Sequence, residues 1–306
     1  FGVFIDPLEQ QFQWSQGGIG FTYALCSIVS ALVSPWAGNI GDRFGAKRAM
    51  IFGTSLFLVG MILTAFITEL WHFWITYGLV LGVAQAIFLV PLIPAVMIWF
   101  RRHLGLAMGL VMASWGLGPA LATPLIAYML EVIGWKASFL VLGMTSFVLM
   151  LIMIAIFRNR PGDISVLAYG TEADDPPLSD RLPPLELLEE FKGHMRKTAA
   201  YWNMSSIHFL GCVGHAVILI WIIPMATQGG LTLVGASLII TVMSVVSIVT
   251  RLTTPILCER FGVRRIMTVF YIFQGAPVLL LFAPEIPGVF YIFAVTFGVG
   301  YGGETG

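Results

Sequence analysis

The sequence predicts an all-α polytopic membrane protein, and three observations predict it. Hydrophobic residues make up 58% of the 306 residues and charged residues only 10%, with a mean hydropathy of +0.90. A water-soluble domain carries about 25% charged residues, so most of this chain's surface must face lipid. Apolar runs of roughly 20 residues, long enough to cross the hydrocarbon core as a helix, recur from end to end. The basic residues gather in alternate connections between those runs. Within a bilayer every backbone N–H and C=O has to be satisfied inside its own segment, so runs of this kind are helices.

Residues 1–8 read as the tail of a first helix. Eight complete spans follow, at 17–37, 47–68, 72–99, 104–130, 135–157, 202–226, 232–257 and 264–283, and residues 288–306 form most of a tenth. The chain opens at Phe1 inside one apolar run and stops at Gly306 inside another, so both ends read as cuts through a helix. Ser15 and Thr232 stand where N-caps belong, ahead of helices 2 and 8. Gly105, Gly109, Gly116 and Gly118, with Pro119 and Pro124, make helix 5 thin and easily kinked. Such a helix suits close packing and sliding against a neighbour.

Orientation follows from Lys and Arg in the loops. Arg43, Lys47 and Arg48 lie between helices 2 and 3, Arg101 and Arg102 between 4 and 5, and Arg260, Arg264 and Arg265 between 8 and 9. The 6–7 connection adds Arg158, Arg160, Arg181, Lys192, Arg196 and Lys197. These are 14 of the 16 basic residues; the opposite loops hold only Lys136, and Arg251 lies within helix 8. The basic face is therefore read as cytoplasmic, in a multi-pass protein of the plasma membrane or bacterial inner membrane.

The 6–7 connection is the single long loop. Residues 158–184 are rich in Pro, Asp and Gly and read as flexible linker. In 183–197, Pro183 and Pro184 precede Leu185, Leu188, Phe191 and Met195 at helical spacing, which predicts a short amphipathic helix in the cytoplasmic interface. The expected division is an N-terminal half at 1–157, a linker at 158–200 and a C-terminal half at 201–306.

The two halves repeat. Residues 14–48 and 231–265 correspond at a constant offset of 217, and Gly82 and Gly298 at almost the same one. Asp42-Arg43-Phe44-Gly45-Ala46-Lys47-Arg48 pairs with Glu259-Arg260-Phe261-Gly262-Val263-Arg264-Arg265. An offset spanning six helices means two six-helix halves in the same orientation, so the complete arrangement has twelve. Membrane proteins built from such halves bind solute near the midplane, between them.

Gly38-Asn39-Ile40-Gly41-Asp42-Arg43-Phe44-Gly45-Ala46-Lys47-Arg48 resembles the G-x-x-x-D-R-x-G-x-[RK]-[RK] signature of the major facilitator superfamily, and its degenerate echo follows helix 8. Gly45 permits a turn that most residues would strain. Asp42, near the start of helix 3, is placed to accept from free helix N–H groups. The resemblance implies that this loop latches the halves together on the cytoplasmic side, with Lys47 and Arg48 chiefly setting topology. A finer resemblance points to the monocarboxylate transporter and oxalate/formate antiporter branches. It rests on Phe1-Gly2-Val3-Phe4, Pro7-Leu8, Trp14-Ser15 and Gly298-Val299-Gly300-Tyr301-Gly302-Gly303. Arg251 matches the anion-binding Arg of monocarboxylate carriers. Those carriers often place an Asp one turn earlier, where this chain has Ser247, so the resemblance stops short of their proton-coupling scheme.

The residues themselves offer a short set of candidates. An Arg within a transmembrane helix costs roughly 2.5 kcal/mol or more. Arg251 lies about six residues, or roughly 9 Å, from the expected end of helix 8, with Ser244, Ser247 and Thr254 on its face. Such a stripe suits a cavity that takes a carboxylate; the competing reading is an Arg paired with backbone carbonyls. His208 and His215 share a face of helix 7 with Tyr201, Ser205 and Cys212, and an imidazole titrates near neutral pH. Glu304, beside Gly302-Gly303 in helix 10, is a candidate proton carrier or partner for Arg251. Tyr77 and Gln85 in helix 4 could hydrogen-bond a solute, as could Tyr23, Ser27, Ser30 and Ser34 in helix 2, although small residues there more often serve packing.

Other functions find no foothold. The balance of 16 basic and 16 acidic residues gives no electrostatic footprint for nucleic acid. Cys26, Cys212 and Cys258 lie in apolar runs without CxxC spacing, and two His without a third ligand make a poor metal site, so no metal or cofactor is expected. No nucleophile elbow or phosphate loop appears, so the chain does not read as an enzyme. The expectation is a monomeric secondary transporter in the lipid bilayer. It moves a monocarboxylate or other organic anion by alternating access, with proton coupling or exchange. A carrier of drugs, sugars or other neutral solutes, and a transporter-like sensor, are the alternatives.

Overall fold

In a computed structural model, the chain is described over residues 1–172, 175, 185–282 and 286–304. A 3-10 turn, Gly2–Phe4, leads into α1, Ile5–Phe12. Pro7 sits in its first turn, where a missing N–H costs nothing, and α1 ends at Gln13 in a left-handed conformation (φ 58°). α2 runs Gln16–Phe44 and α3 runs Ala46–Ala65. α4, Leu70–Ile98, widens to π-helical bonding over Trp74–Leu81 and is interrupted by a turn at Val90-Pro91, because Pro91 has no N–H to offer.

Helical bonding then continues for 53 residues over Leu104–Ile156. A straight helix of that length would span about 80 Å, far more than one bilayer. Gly134, at φ 73° and ψ 173°, breaks it into α5 (104–133) and α6 (135–156). α7 is Ala199–Gln228, α8 Leu233–Phe261 and α9 Val263–Phe282. α9 tightens to 3-10 geometry from Ala276, next to Pro277. α10 is Pro287–Glu304. The spans fall where expected, with shifted ends: α2 continues through residues 38–44, which were expected to lie in a loop, α8 does the same through 258–261, and α3 stops at Ala65, short of the expected 68.

The repeat is visible in the helix bounds: α2 and α8 each have 29 residues and begin and end at the offset of 217. The Ser15 hydroxyl accepts from Gly18 N–H at 3.2 Å, and Thr232 from Gly235 N–H at 3.1 Å. Both helices stop at glycines of nearly equal positive φ, 86° at Gly45 and 87° at Gly262. Gly82 and Gly298 do matching work: a Cβ on Gly82 would lie 2.8 Å from the Cys26 carbonyl, and one on Gly298 would lie 2.7 Å from that of Met243. Cys26 and Met243 are themselves repeat mates. α4 therefore seats on α2 as α10 seats on α8, backbone against backbone. Gly298→Ala is expected to force α8 and α10 apart and cost about 1–3 kcal/mol. Thermal unfolding of the purified protein in detergent measures that cost.

The interior is largely apolar, yet it also takes in polar side chains, while large apolar side chains face outward. The interior holds Arg251, Glu304, Gln274 and a set of Ser and Thr side chains, while Leu32, Trp36, Leu121 and Phe209 point outward. Serine and threonine hydroxyls bond back to carbonyls of their own helix, as Ser247 does to Ser244 (2.8 Å) and Thr254 to Thr250 (2.7 Å). Such bonding satisfies polar atoms where lipid cannot. Hydrogen bonds join the halves at several levels. Near the ends opposite the basic loops, Thr227 Oγ1 donates to Asp6 Oδ2 at 2.6 Å, joining α7 to α1. Deeper, Thr241 Oγ1 of α8 donates to the Ala120 carbonyl of α5 at 2.9 Å.

Among its described residues, the linker makes contacts that its composition does not predict. Residues 161–164 form a 3-10 turn, and Tyr169 bridges to the 4–5 loop, its N–H donating to Trp99 O (2.8 Å) while its carbonyl accepts from Arg101 N–H (2.9 Å). Arg101 pairs with Asp175 at 3.6 Å and Arg102 with Glu172. Glu172 and Asp175, read as solvated linker, thus pair with basic residues of the 4–5 loop. A helix forms at Leu185–Arg196, within the interval expected. Pro183 and Pro184 lie outside the described residues.

Candidate functional site

Among the described residues, Arg251 is the largest side chain wholly shielded from solvent. α8 extends to Phe261, so Arg251 stands ten residues, about 15 Å, from its basic end rather than the shorter distance expected. Ser244, Ser247, Thr250 and Thr254 are buried along the same helix. α5 comes close because Gly116 has no side chain: a Cβ there would meet Ser247 Oγ at 3.0 Å and the Ser244 carbonyl at 3.1 Å. Of the helix-5 glycines, Gly116 performs the expected thinning, whereas Gly118 faces open space.

The guanidinium is fixed on one side and vacant on the other. Nη1 donates to the Met112 carbonyl of α5 at 2.6 Å, across the interface between the halves. The cation lies over the Tyr301 ring of α10, 5.0 Å from its centroid. Nε and Nη2 are buried without a hydrogen-bond partner. Those two nitrogens are the pair that grips a carboxylate side-on with parallel bonds. The cation is enclosed, with one nitrogen on a backbone carbonyl and the other two unpaired.

Glu304 closes a second constellation. It was expected to be a partner for Arg251 or a proton carrier; the structure pairs it elsewhere. Its Oε2 accepts from Gln274 Nε2 of α9 at 2.7 Å and lies 3.1 Å from His215 Nδ1 of α7, close enough to share a proton. Its Oε1 is buried and has no partner. Gly211 makes room for this carboxylate, since a Cβ there would collide with Oε1. Gln274 also donates to the Gly211 carbonyl at 3.4 Å. His215 meets the edge of Tyr301, ring centroids 5.2 Å apart. Tyr301 therefore touches both Arg251 and His215 and joins the two constellations.

The remaining candidates lie apart. Tyr77 packs into an aromatic cluster with Phe1, Phe73 and Phe139. With Gln85 and Cys26 it lines a cavity of about 170 Å³ between α2, α3 and α4. Gln85 Oε1 accepts there from Cys26 Sγ at 3.7 Å. Asp42 and Arg43 are exposed at the end of α2. The first N–H groups of α3 are served by a different residue: Asn159 Oδ1 accepts from Lys47 N–H at 2.8 Å, correcting the expectation for Asp42. The α2 turn ends with Asp42 on its outer side, whereas Asn159 arrives from the end of α6. Lys47 Nζ caps α6, donating to the Ala155 and Phe157 carbonyls at 3.1 and 3.2 Å. Beyond topology, Lys47 thus ties α3 to α6. In the echo, the Arg260 cation lies over Phe261 (5.3 Å) and Gly262 makes the turn, beside Glu259, Arg264 and Arg265.

Sequence reasoning missed Gln274, Tyr301 and the Met112 carbonyl as members of the site. Gln274 had a visible signal, a lone amide in an apolar span. Met112 had none, because its carbonyl acts through the backbone.

Two repeated halves of membrane-length apolar helices define the class of polytopic membrane proteins. The sequence matches the Major Facilitator Superfamily over residues 1–306, and the chain belongs to that family. It is 24% identical to monocarboxylate transporter 12-B of Danio rerio over 326 residues, covering 98% of this chain and 66% of that protein. It is 23% identical to the uncharacterised MFS-type transporter YhjX of Escherichia coli K12, covering 99% of this chain and 72% of that protein. The chain thus spans about two thirds of the length of these relatives. Among solved structures it resembles the nucleoside transporter NupG, with a TM-score of 0.68 at 12% identity over 98% of this chain and 75% of that one.

Proposed function

We propose that this protein is a secondary transporter moving a small organic anion, a monocarboxylate in the first instance, together with a proton or in exchange for another anion. The observation that carries the reading is Arg251, enclosed between the halves with Nη1 anchored and with Nε and Nη2 unpaired. A buried cation left with an empty two-donor fork is costly, and a bound carboxylate removes that cost with two charge-assisted bonds. The relatives named as monocarboxylate transporters support the same class of solute.

In this reading residues 1–157 and 201–306 rock about Arg251 to expose it to one side and then the other. The basic loops, including the Asp42 turn and the 158–200 linker, face the cytoplasm of the plasma or bacterial inner membrane, by the positive-inside rule. The Asp6–Thr227 bond then seals the opposite, outer end. Asp42, exposed at the end of α2, is the group that latches the inner side when the halves close there. His215 and Glu304 hold the coupled proton, and a carrier of this kind works as a monomer.

The test uses thermal stability of the purified protein. Pyruvate, acetate and oxalate are each titrated against glucose and a nucleoside. Stabilisation by the carboxylates alone is the expected result. Stabilisation by a neutral solute with no response to carboxylates would replace this reading with a neutral-solute carrier.

A further inference from the structure

Near the Glu304 carboxylate the structure assembles a set of ligand atoms that the sequence did not bring together. His208 Nε2 and Cys212 Sγ, one turn apart on α7, are 3.4 Å from each other. With a carboxylate oxygen of Glu304 from α10, all three ligand atoms lie within 4.8 Å of one another. We propose that His208, Cys212 and Glu304 form a binding site for a thiophilic divalent cation of the Zn²⁺ class, with water as fourth ligand.

The chemistry of the donor set selects the ion. Imidazole, thiolate and carboxylate together suit Zn²⁺ and Co²⁺ and do not suit Mg²⁺ or Ca²⁺, which take oxygen shells. The geometry is near to hand. Bonds of about 2.0 Å to nitrogen and 2.3 Å to sulfur in a tetrahedron put those two atoms roughly 3.5 Å apart, and the observed edge is 3.4 Å. The carboxylate is prepared for a ligand in a second, independent way. Gln274 and His215 occupy Oε2 and fix its orientation, while the buried Oε1 has no partner. Outer partners of this kind are what orient metal ligands.

His208 and Glu304 line a cavity of about 930 Å³ between α7 and α9, together with Asn203, Met204 and Tyr271. The ordinary alternative is a hydrogen bond between Cys212 and His208, with Glu304 uninvolved. Metal binding stands independently of the solute. Its consequence for transport rests on the proton role proposed for Glu304: a bound cation would withdraw that carboxylate from proton exchange and inhibit uptake.

The test adds Zn²⁺, Co²⁺ or Mg²⁺ to the purified protein and reads thermal stability and, for Co²⁺, the visible spectrum. Zn²⁺ is expected to raise the unfolding temperature while Mg²⁺ does not, and Co²⁺ to show the absorption of a tetrahedral thiolate complex. Cys212→Ser and His208→Ala are each expected to weaken the Zn²⁺ response by about tenfold or more and to abolish the Co²⁺–thiolate band. Both retain carboxylate uptake, which shows that they fold. Absence of any Zn²⁺ shift, or a shift unaltered in both variants, would overturn the site and leave a plain hydrogen bond. Zn²⁺ binding without loss of uptake would keep the site and overturn the proton role of Glu304.

Discussion

Arg251→Gln is expected to lower carboxylate uptake at least ~100-fold while the protein remains inserted and folded. A bidentate carboxylate contact comprises two charge-assisted hydrogen bonds, each worth about 1.5–3 kcal/mol, and every 1.4 kcal/mol is tenfold in affinity. The fold does not need the charge: Arg251 spends one nitrogen on the Met112 carbonyl and keeps two unpaired. Replacing an under-paired buried cation by a neutral amide is neutral or stabilising, so the unfolding temperature should hold or rise. Arg251→Lys should fail nearly as badly, because an ammonium cannot reproduce the planar fork. Uptake of labelled carboxylate, with thermal unfolding measured on the same preparations, separates loss of binding from loss of fold. Unchanged uptake in Arg251→Gln would remove Arg251 from the site.

The second large effect is on coupling. Glu304→Gln preserves the shape of the side chain and its contact with Gln274, but it removes the carboxylate that faces His215 at 3.1 Å. Uphill accumulation driven by an inward proton gradient is expected to vanish, while exchange of carboxylate at equal concentrations on both sides continues. The two assays together distinguish a proton group from a solute ligand. Loss of both activities would place Glu304 in solute binding, and retention of gradient-driven accumulation would place the proton elsewhere.

Much of this fold is written in local patterns, and much of the site is not. Apolar runs fixed the spans because the bilayer leaves the backbone no alternative to helix. The offset of 217 anticipated matching caps at Ser15 and Thr232 and matching turns at Gly45 and Gly262, since caps and turns depend on nearby residues. Arg251 and Glu304 stood out because charge in an apolar helix needs a reason. Their partners did not, because pairing depends on which helices touch. Glu304 meets His215, 89 residues away, through the gap left by Gly211. Arg251 meets a backbone carbonyl 139 residues away, for which no side-chain signal exists. The ends of α2 and α8 were drawn short for a related reason: polar residues 38–44 look like loop, yet a helix leaving the bilayer continues until a glycine of positive φ stops it. In the linker, composition could not show that Glu172 and Asp175 reach basic partners on the 4–5 loop, Glu172 while still largely exposed.

The claim that an enclosed Arg251 fork receives a carboxylate is tested most directly by transport in proteoliposomes. Labelled pyruvate and labelled glucose are offered to the wild-type protein and to Arg251→Gln under an inward proton gradient. Accumulation of pyruvate by the wild type alone, with no glucose uptake by either, is the expected result. Equal pyruvate accumulation by both proteins, or glucose uptake that survives Arg251→Gln, would contradict it.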